Sequence, residues 1–156
     1  MTATNHMMAG AVVATAVHNP LLVFPAVIAS HFVIDVLPHF GVHEDAPAER
    51  NKHPLFRYVI SIDILLTICL LLLLPSILRG AVSWWVLVTG MFLAWAPDLV
   101  WVREFFKILK TKTDHERRHW STRLHQKIQW FEKPLGLVTE IVWFGAMAVL
   151  LGLLAA

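Results

Sequence analysis

The most specific chemical signal in the sequence lies around residue 31. The segment Ser30–Phe40 reads SHFVIDVLPHF, and His31 and Asp35 are four residues apart in it. Because residues i and i+4 share one helical face, the two side chains can bind one metal ion, or the carboxylate can orient the imidazole. Mixed imidazole and carboxylate ligands suit zinc, with manganese or iron as alternatives. A buried His–Asp pair that only joins two helices is the structural alternative.

Three more histidines are candidate metal ligands. His39 lies one turn beyond Asp35, although Pro38 stands between them and could turn His39 toward the following loop. His115 and His119 share a helical face in the basic stretch DHERRH, where they could fold over one end of a helix bundle. A charged loop also supplies solvated histidines without function, so both interpretations stay open for this pair.

Acidic residues inside apolar segments form the second set of candidates. Ionisable side chains are expensive in a membrane and are usually kept for function or for pairing with one another. Asp98 follows Pro97, which breaks the helix and can turn the carboxylate inward. We expect Asp63 and Asp98 to act as proton acceptors in the site, with Asp98 also a possible metal ligand. Glu140 is a further candidate, and pairing with basic side chains is the alternative for all three.

Composition defines the elements that must position these residues. The chain has 156 residues, 57% of them hydrophobic, and a formal net charge of +2. This excludes a disordered chain and a disulfide scaffold, and the small net charge does not suggest a nucleic-acid partner. The apolar residues come in long blocks instead of alternating with polar ones. The sequence therefore predicts an all-α, polytopic membrane helix bundle.

Three segments have the length and apolar character of plain membrane-spanning helices. Each has 21 or 22 residues, or about 31–33 Å of helix, which matches a hydrocarbon core of about 30 Å. They are Tyr58–Leu78, Ala81–Val102 and Leu135–Ala156.

The first apolar region is too long for one plain span and is divided at Asn19-Pro20. We expect a short re-entrant helix over Met7–His18 and a returning helix over Leu21–Leu37, which together form a hairpin. A single kinked span is the alternative. We expect this region to belong to the fold and not to be a cleaved signal peptide, because no Lys or Arg precedes Arg50.

Basic residues concentrate in two loops, 38–57 and 103–133. Because two spans separate these loops, both lie on one side, and the positive-inside rule makes that side cytoplasmic. In the segment 103–133 an apolar stripe predicts an interfacial amphipathic helix on anionic lipid, with a solvated basic loop as the alternative. The stripe comprises Trp120, Leu124, Ile128 and Phe131.

The motif HMMAG at His6–Gly10, together with SHxxxDxxPH, resembles the predicted membrane-bound metal-dependent hydrolases of bacteria and archaea. It is more distantly similar to the zinc-dependent phospholipase C group. The resemblance implies a divalent metal, most simply zinc, and a location in the cytoplasmic (inner) membrane of a prokaryote. The ligands that it implies are His6, His31, Asp35, Asp98, His115 and His119.

We therefore expect a metal-dependent hydrolase that acts on a lipid or another membrane-associated phosphoester at the cytoplasmic interface. Its partners would be membrane lipid and an anionic headgroup, and a homo-oligomer is possible. One alternative is a non-enzymatic metal-binding or structural membrane protein. Another is an intramembrane aspartyl protease that uses Asp63 and Asp98 as its dyad.

Overall fold

The computed structural model describes residues 1–42, 52–99, 127–129 and 131–156. These residues form five helices of at least 12 residues, which are connected by turns. Two isolated β-bridges lie outside the helices. The predicted all-α class is therefore confirmed for the described part of the chain. The helices are α1 (Ala3–Val17), α2 (Pro20–Asp35), α3 (Pro54–Ile77), α4 (Trp84–Trp95) and α5 (Gly136–Ala155).

Helix α1 is the central element. It packs against each of the other four helices, and eleven of its 15 residues are buried. A helix that is enclosed on every side needs no apolar stripe, which explains why its hydrophobic residues follow no clear helical period. Polar side chains near the start of α1 can consequently meet groups from all four neighbouring helices.

The chain reverses direction between α1 and α2. His18 has a φ of 57°, and the Asn19 side chain accepts a hydrogen bond from the Leu21 backbone N–H at 3.0 Å. Pro20 then opens α2, a position where its missing N–H is not needed. The first apolar region is thus a helical hairpin and not a single kinked span. Its helices begin and end a few residues from the predicted 7–18 and 21–37.

A close backbone approach sets α4 against α1. A Cβ on Gly10 would lie 2.8 Å from the Ala94 Cβ and 2.8 Å from the Gly90 carbonyl oxygen, so only glycine fits there. Small residues allow such close packing, which is common between membrane helices. Because the two helices are antiparallel, the C-terminal end of α4 and the following Asp98 lie beside the start of α1.

Two of the described helices are long and apolar enough to cross a membrane. Helix α3 has 24 residues with a mean hydropathy of 2.5, and α5 has 20 residues with a mean hydropathy of 2.1. Their lengths correspond to about 36 Å and 30 Å. Both lie mostly at the surface of the described structure, where they expose large apolar side chains.

The prediction of a third plain span over Ala81–Val102 is wrong for the part that the structure describes. Helix α4 occupies only Trp84–Trp95, or about 18 Å. The preceding residues form a turn, in which Gly80 has a φ of 100° and Arg79 bridges to Val82. Pro97 lacks the N–H that would continue the helix.

The basic segment lies largely outside the described residues. His115 and His119 belong to the part that is not described, as does most of the predicted amphipathic helix. Ile128 and Phe131 from its apolar stripe are described, and both are half-buried. The amphipathic helix and its contact with lipid therefore stay predictions.

Candidate metal centre

Two imidazole rings from the two arms of the hairpin stack on one another. The ring centroids of His6 in α1 and His31 in α2 are 4.1 Å apart, and the ring planes are inclined by 22°. Both side chains are fully buried. The hairpin therefore brings together two histidines that are 25 positions apart in the sequence.

A backbone carbonyl fixes the orientation of His31. Its Nδ1 lies 2.8 Å from the Ala94 carbonyl oxygen, which can only accept a hydrogen bond, so Nδ1 carries the proton and donates it. Ala94 lies in the last turn of α4, where carbonyls lack partners within the helix. In a neutral His31, Nε2 is consequently the nitrogen that carries the lone pair and can bind a metal.

Two carboxylates face the Nε2 atoms of both rings. Asp35 Oδ1 lies 3.2 Å from His6 Nε2, and Asp35 Oδ2 lies 3.3 Å from His31 Nε2. Asp98 Oδ2 and Oδ1 lie 3.7 Å from the same two nitrogens, respectively. We call these four residues, His6, His31, Asp35 and Asp98, the ligand cluster.

The spacing in the ligand cluster matches that of metal ligands. A tetrahedral zinc ion with bonds of about 2.0–2.2 Å holds neighbouring ligand atoms about 3.3–3.6 Å apart. The four nitrogen–oxygen separations of 3.2–3.7 Å fall close to this range. One ligand atom from each of His6, His31 and Asp98 lies within 4.8 Å of the others, so these three residues could hold a metal ion.

The charges in the cluster also favour a cation. Neither ring nitrogen of His6 makes a hydrogen bond with any residue that the structure describes, although the ring is fully buried. Neutral imidazole lone pairs and carboxylate oxygens are both acceptors, so they repel one another unless a proton or a metal ion lies between them. Two imidazoles and a carboxylate form a donor set typical of catalytic zinc and non-haem iron sites.

Asp35 is held from two sides. Its Oδ1 accepts a hydrogen bond from the amino group of Met1 at 2.9 Å, and its Oδ2 accepts one from Gln129 Nε2 at 3.4 Å. Asp98 is the member of the cluster that reaches the surface, with 20% of its side chain exposed. The cluster is therefore enclosed on the Asp35 side and accessible from the Asp98 side.

Asp63, expected as a proton acceptor, has a different environment. Its Oδ2 and Oδ1 accept hydrogen bonds from the backbone N–H groups of Ala3 and Thr4, at 3.0 Å and 2.9 Å. The first N–H groups of a helix have no partner within it, and a carboxylate beside them also interacts favourably with the helix dipole. These contacts support a capping role for Asp63 at the start of α1.

Glu140 meets the same end of α1 from the other side. Its Oε2 accepts hydrogen bonds from the Thr2 backbone N–H and from Asn5 Nδ2, both at 3.2 Å. Its Oε1 accepts one from the Phe40 backbone N–H at 2.9 Å. Glu140 therefore joins α5 to the start of α1 and to the chain that follows α2. We call Asp63 and Glu140 the cap pair.

His39 turns away from the ligand cluster. Its Nδ1 lies 2.8 Å from the Leu37 carbonyl oxygen, and its Nε2 lies 3.6 Å from Glu132 Oε1. Pro38 follows the end of α2, so the helical stripe of His31 and Asp35 does not continue to His39. The structure thus favours the orientation in which His39 turns toward the following loop.

Two contributors to the site carry little signal in the sequence. The Ala94 carbonyl is available because α4 ends at Trp95, and the only hint of that end is Pro97. Gln129 reaches Asp35 across 94 positions of the chain, and nothing in its local sequence distinguishes it from other polar residues of the basic segment.

Comparisons with protein-family models, with curated proteins and with solved structures find no match for this chain. The site is therefore interpreted from its own residues and their geometry.

Proposed function

We propose that this protein is a membrane-embedded, metal-dependent hydrolase, with zinc as the favoured metal, that acts on a lipid phosphoester at the cytoplasmic interface. The observation that carries the proposal is the ligand cluster. Two buried imidazoles and two carboxylates converge at one end of the bundle with the spacing of metal ligands. The resemblance of the HMMAG and SHxxxDxxPH motifs to membrane-bound metal-dependent hydrolases supports the same interpretation of the cluster.

Each member of the cluster has a separate task in this proposal. His6 and His31 bind the metal through Nε2, and the Ala94 carbonyl holds the His31 ring in the required tautomer. Asp35 lies beside both rings, and its Oδ1 is also paired with the ammonium group of Met1. We assign two tasks to Asp98, the partly exposed member: one carboxylate oxygen would bind the metal and the other would accept the proton of the attacking water. A divalent metal in such a site acts as a Lewis acid and makes water a better nucleophile near neutral pH.

The location in a membrane is supported by the surfaces of α3 and α5. Leu65 and Leu72 in α3 and Ile141 and Leu153 in α5 are each more than 60% exposed, which is unfavourable in water over so large a surface. We propose that these faces contact lipid and that the basic loops lie in the cytoplasm of a prokaryotic cell.

A phosphoester with a lipid anchor is the proposed substrate class. The start of α1, which precedes His6 of the ligand cluster, contacts Asp63 in the middle of α3. Lys52, Arg57, Tyr58 and Ser61 line a surface pocket of about 350 Å³ at the beginning of α3. Two cationic side chains and two hydroxyl groups suit the phosphate of an anionic headgroup. Hydrolysis at this depth would need no extraction of the lipid from the bilayer.

The experiment that tests the proposal joins metal content to activity. Protein purified in detergent is analysed by plasma mass spectrometry. The same samples are assayed for phosphate release from phosphatidic acid in mixed micelles. We expect about one equivalent of zinc, manganese or iron per chain, and activity that a chelator removes and the metal restores. His31→Ala should lose both the metal and the activity.

His18→Asn is the matched control. It removes a histidine from the hairpin tip and places there a residue that tolerates the positive φ of that position. We expect it to keep the metal and the activity. A parent protein that is folded but stays empty after reconstitution would overturn the proposal, as would full activity in His31→Ala.

A non-enzymatic metal-binding or structural role is the second candidate. The observation in its favour is the full burial of His6, His31 and Asp35, which leaves Asp98 as the accessible member of the cluster. Such a site would bind metal in the same experiment but release no phosphate from any lipid offered. The aspartyl protease alternative receives little support, because Asp63 and Asp98 contact different partners.

A further inference from the structure

An apolar cleft separates the two long helices at the level of the first turn of α1. Its volume is about 310 Å³, and its walls are side chains from both helices. They are Val59, Ile62 and Leu66 from α3, and Leu137, Ile141 and Phe144 from α5. Ile62, Leu66 and Ile141 are each at least 41% exposed, so the cleft opens onto the outer surface of the bundle. In the proposed membrane location, that opening faces the lipid.

The inner end of the cleft is polar. Thr2, Thr4 and Asn5 from the start of α1 line it together with the cap pair. The Asn5 side chain is 3% exposed, and its Oδ1 has no hydrogen-bond partner among the described residues. Its Nδ2, in contrast, donates to Thr2 Oγ1 and to both the side chain and the backbone of Glu140. A buried acceptor is thus available to a ligand that brings a hydrogen-bond donor.

The charges at this end select the kind of ligand. Asp63 and Glu140 are the charged residues that line the cleft, and both are acidic. A carboxylate or phosphate would be repelled by these two buried carboxylates, whereas a neutral hydroxyl group could donate to Asn5 Oδ1. An apolar chain that ends in an uncharged hydroxyl therefore fits both the walls and the inner end.

We infer that this cleft binds a long-chain lipid alcohol, with its chain between α3 and α5 and its hydroxyl group at Asn5. The inference rests on the proposed function, because such an alcohol is the product of hydrolysis of a lipid phosphoester. In that reaction the oxygen of water bonds to phosphorus, and the bond between phosphorus and the lipid oxygen breaks. The lipid oxygen takes a proton and leaves as a hydroxyl. Asn5, which lines the cleft, and His6 of the ligand cluster are consecutive residues of α1, with their side chains on different faces of the helix.

Photoaffinity labelling tests this inference. The protein is placed in phosphatidylcholine nanodiscs at about pH 8, where a fatty acid is largely ionised. It is exposed to a photoreactive monoacylglycerol or to a photoreactive fatty acid of equal chain length, and the labelled peptides are identified by mass spectrometry. We expect the monoacylglycerol to label residues 59–66 and 137–144, and to do so about fivefold more than the fatty acid.

Two matched variants locate the binding. Leu66→Trp places a large ring in the cleft and should reduce labelling about fivefold. Leu65→Trp adds the same ring at a neighbouring position that is 61% exposed and does not line the cleft, and it should leave labelling unchanged. Equal labelling by the fatty acid, labels confined to other peptides, or full labelling of Leu66→Trp would each overturn the inference.

Labelling of His31→Ala separates this inference from the proposed function. His31→Ala should keep its labelling at the cleft although it loses activity. Labelling at the cleft in a parent protein that shows no phosphoesterase activity would support the cleft while the hydrolase proposal fails. Metal-dependent activity without labelling at the cleft would overturn the cleft alone.

Discussion

The ligand cluster and the cap pair both place buried acidic residues beside the start of α1, yet their hydrogen bonds differ. Asp63 and Glu140 direct all four carboxylate oxygens at N–H donors, most of them from the backbone. In the ligand cluster, Asp35 also accepts hydrogen bonds from the Met1 amino group and Gln129. Asp35 and Asp98 nevertheless both face imidazole nitrogens, and neither nitrogen of His6 is hydrogen-bonded within the described residues.

This difference separates a structural carboxylate from a candidate ligand. A carboxylate that satisfies the first N–H groups of a buried helix removes unpaired donors and balances the helix dipole, so it needs no further partner. A group of acceptors that face one another is unfavourable unless a cation or a proton joins them. The imidazole nitrogens that face Asp35 and Asp98, and not the burial of these acids, therefore mark them as candidate metal ligands.

The largest effect that we predict is the loss of metal from the ligand cluster in Asp98→Asn. The substitution keeps the shape of the side chain but removes the negative charge, so metal affinity should fall by about 100-fold or more. Asp63→Asn is the matched control in the cap pair and should keep its affinity within about threefold. The measurement is a competition titration with a chromophoric chelator. Equal losses in both variants would erase the distinction between the two regions.

The next largest effect is on stability and belongs to the cap pair. Asp63→Ala leaves the N–H groups of Ala3 and Thr4 without their acceptor, which should cost about 2 kcal/mol of stability. Thermal unfolding of the metal-free protein in detergent measures this effect. Asp98→Asn should change the stability of the metal-free protein by less than about 1 kcal/mol. If Asp63→Ala instead abolished metal binding and left stability unchanged, Asp63 would belong to the metal site.

A third prediction concerns the close contact between α1 and α4 at Gly10. Gly10→Ala places a methyl group 2.8 Å from the Ala94 Cβ and from the Gly90 carbonyl oxygen, which forces α1 and α4 apart. We expect a loss of about 1–3 kcal/mol of stability and weaker metal binding, because α4 positions both Asp98 and the Ala94 carbonyl. Gly145→Ala in α5 is the control, since a Cβ at Gly145 meets no atom within 4 Å. A stable Gly10→Ala protein with full metal affinity would contradict this interpretation of the helix contact.

The sequence predicts the parts of this arrangement that depend on local patterns. Helical spacing places His31 and Asp35 on one face, and Asn19-Pro20 marks the turn of the hairpin. Because the hairpin turns at Asn19-Pro20, His6 near the start of its first helix must lie close to His31 near the end of its second helix. The long apolar blocks predict α3 and α5 to within a few residues.

The sequence does not predict what depends on contacts between distant helices. The cap role of Asp63 depends on α1 beginning at Ala3, beside the middle of α3, and no local pattern encodes that position. Gly80 lies before α4 and Pro97 lies after it. The regular helix between them is therefore shorter than the apolar segment Ala81–Val102. Apolar content alone measures suitability for lipid, not the length of regular helix.

The smallest predicted effect tests how much Gln129, which contacts Asp35, contributes to metal binding. Gln129 donates to Asp35 Oδ2 at 3.4 Å, a long hydrogen bond that orients a carboxylate without joining the set of candidate ligands. Gln129→Ala should therefore lower metal affinity by only about threefold to tenfold, the lower end of what residues behind a metal ligand contribute. Lys127→Ala, two positions earlier and exposed, should leave affinity unchanged and controls for the charge of this segment. The same competition titration measures both variants. A loss as large as that of Asp98→Asn would mean that Gln129 holds the cluster together, and the metal site would then depend on the basic segment as well as on the hairpin and α4.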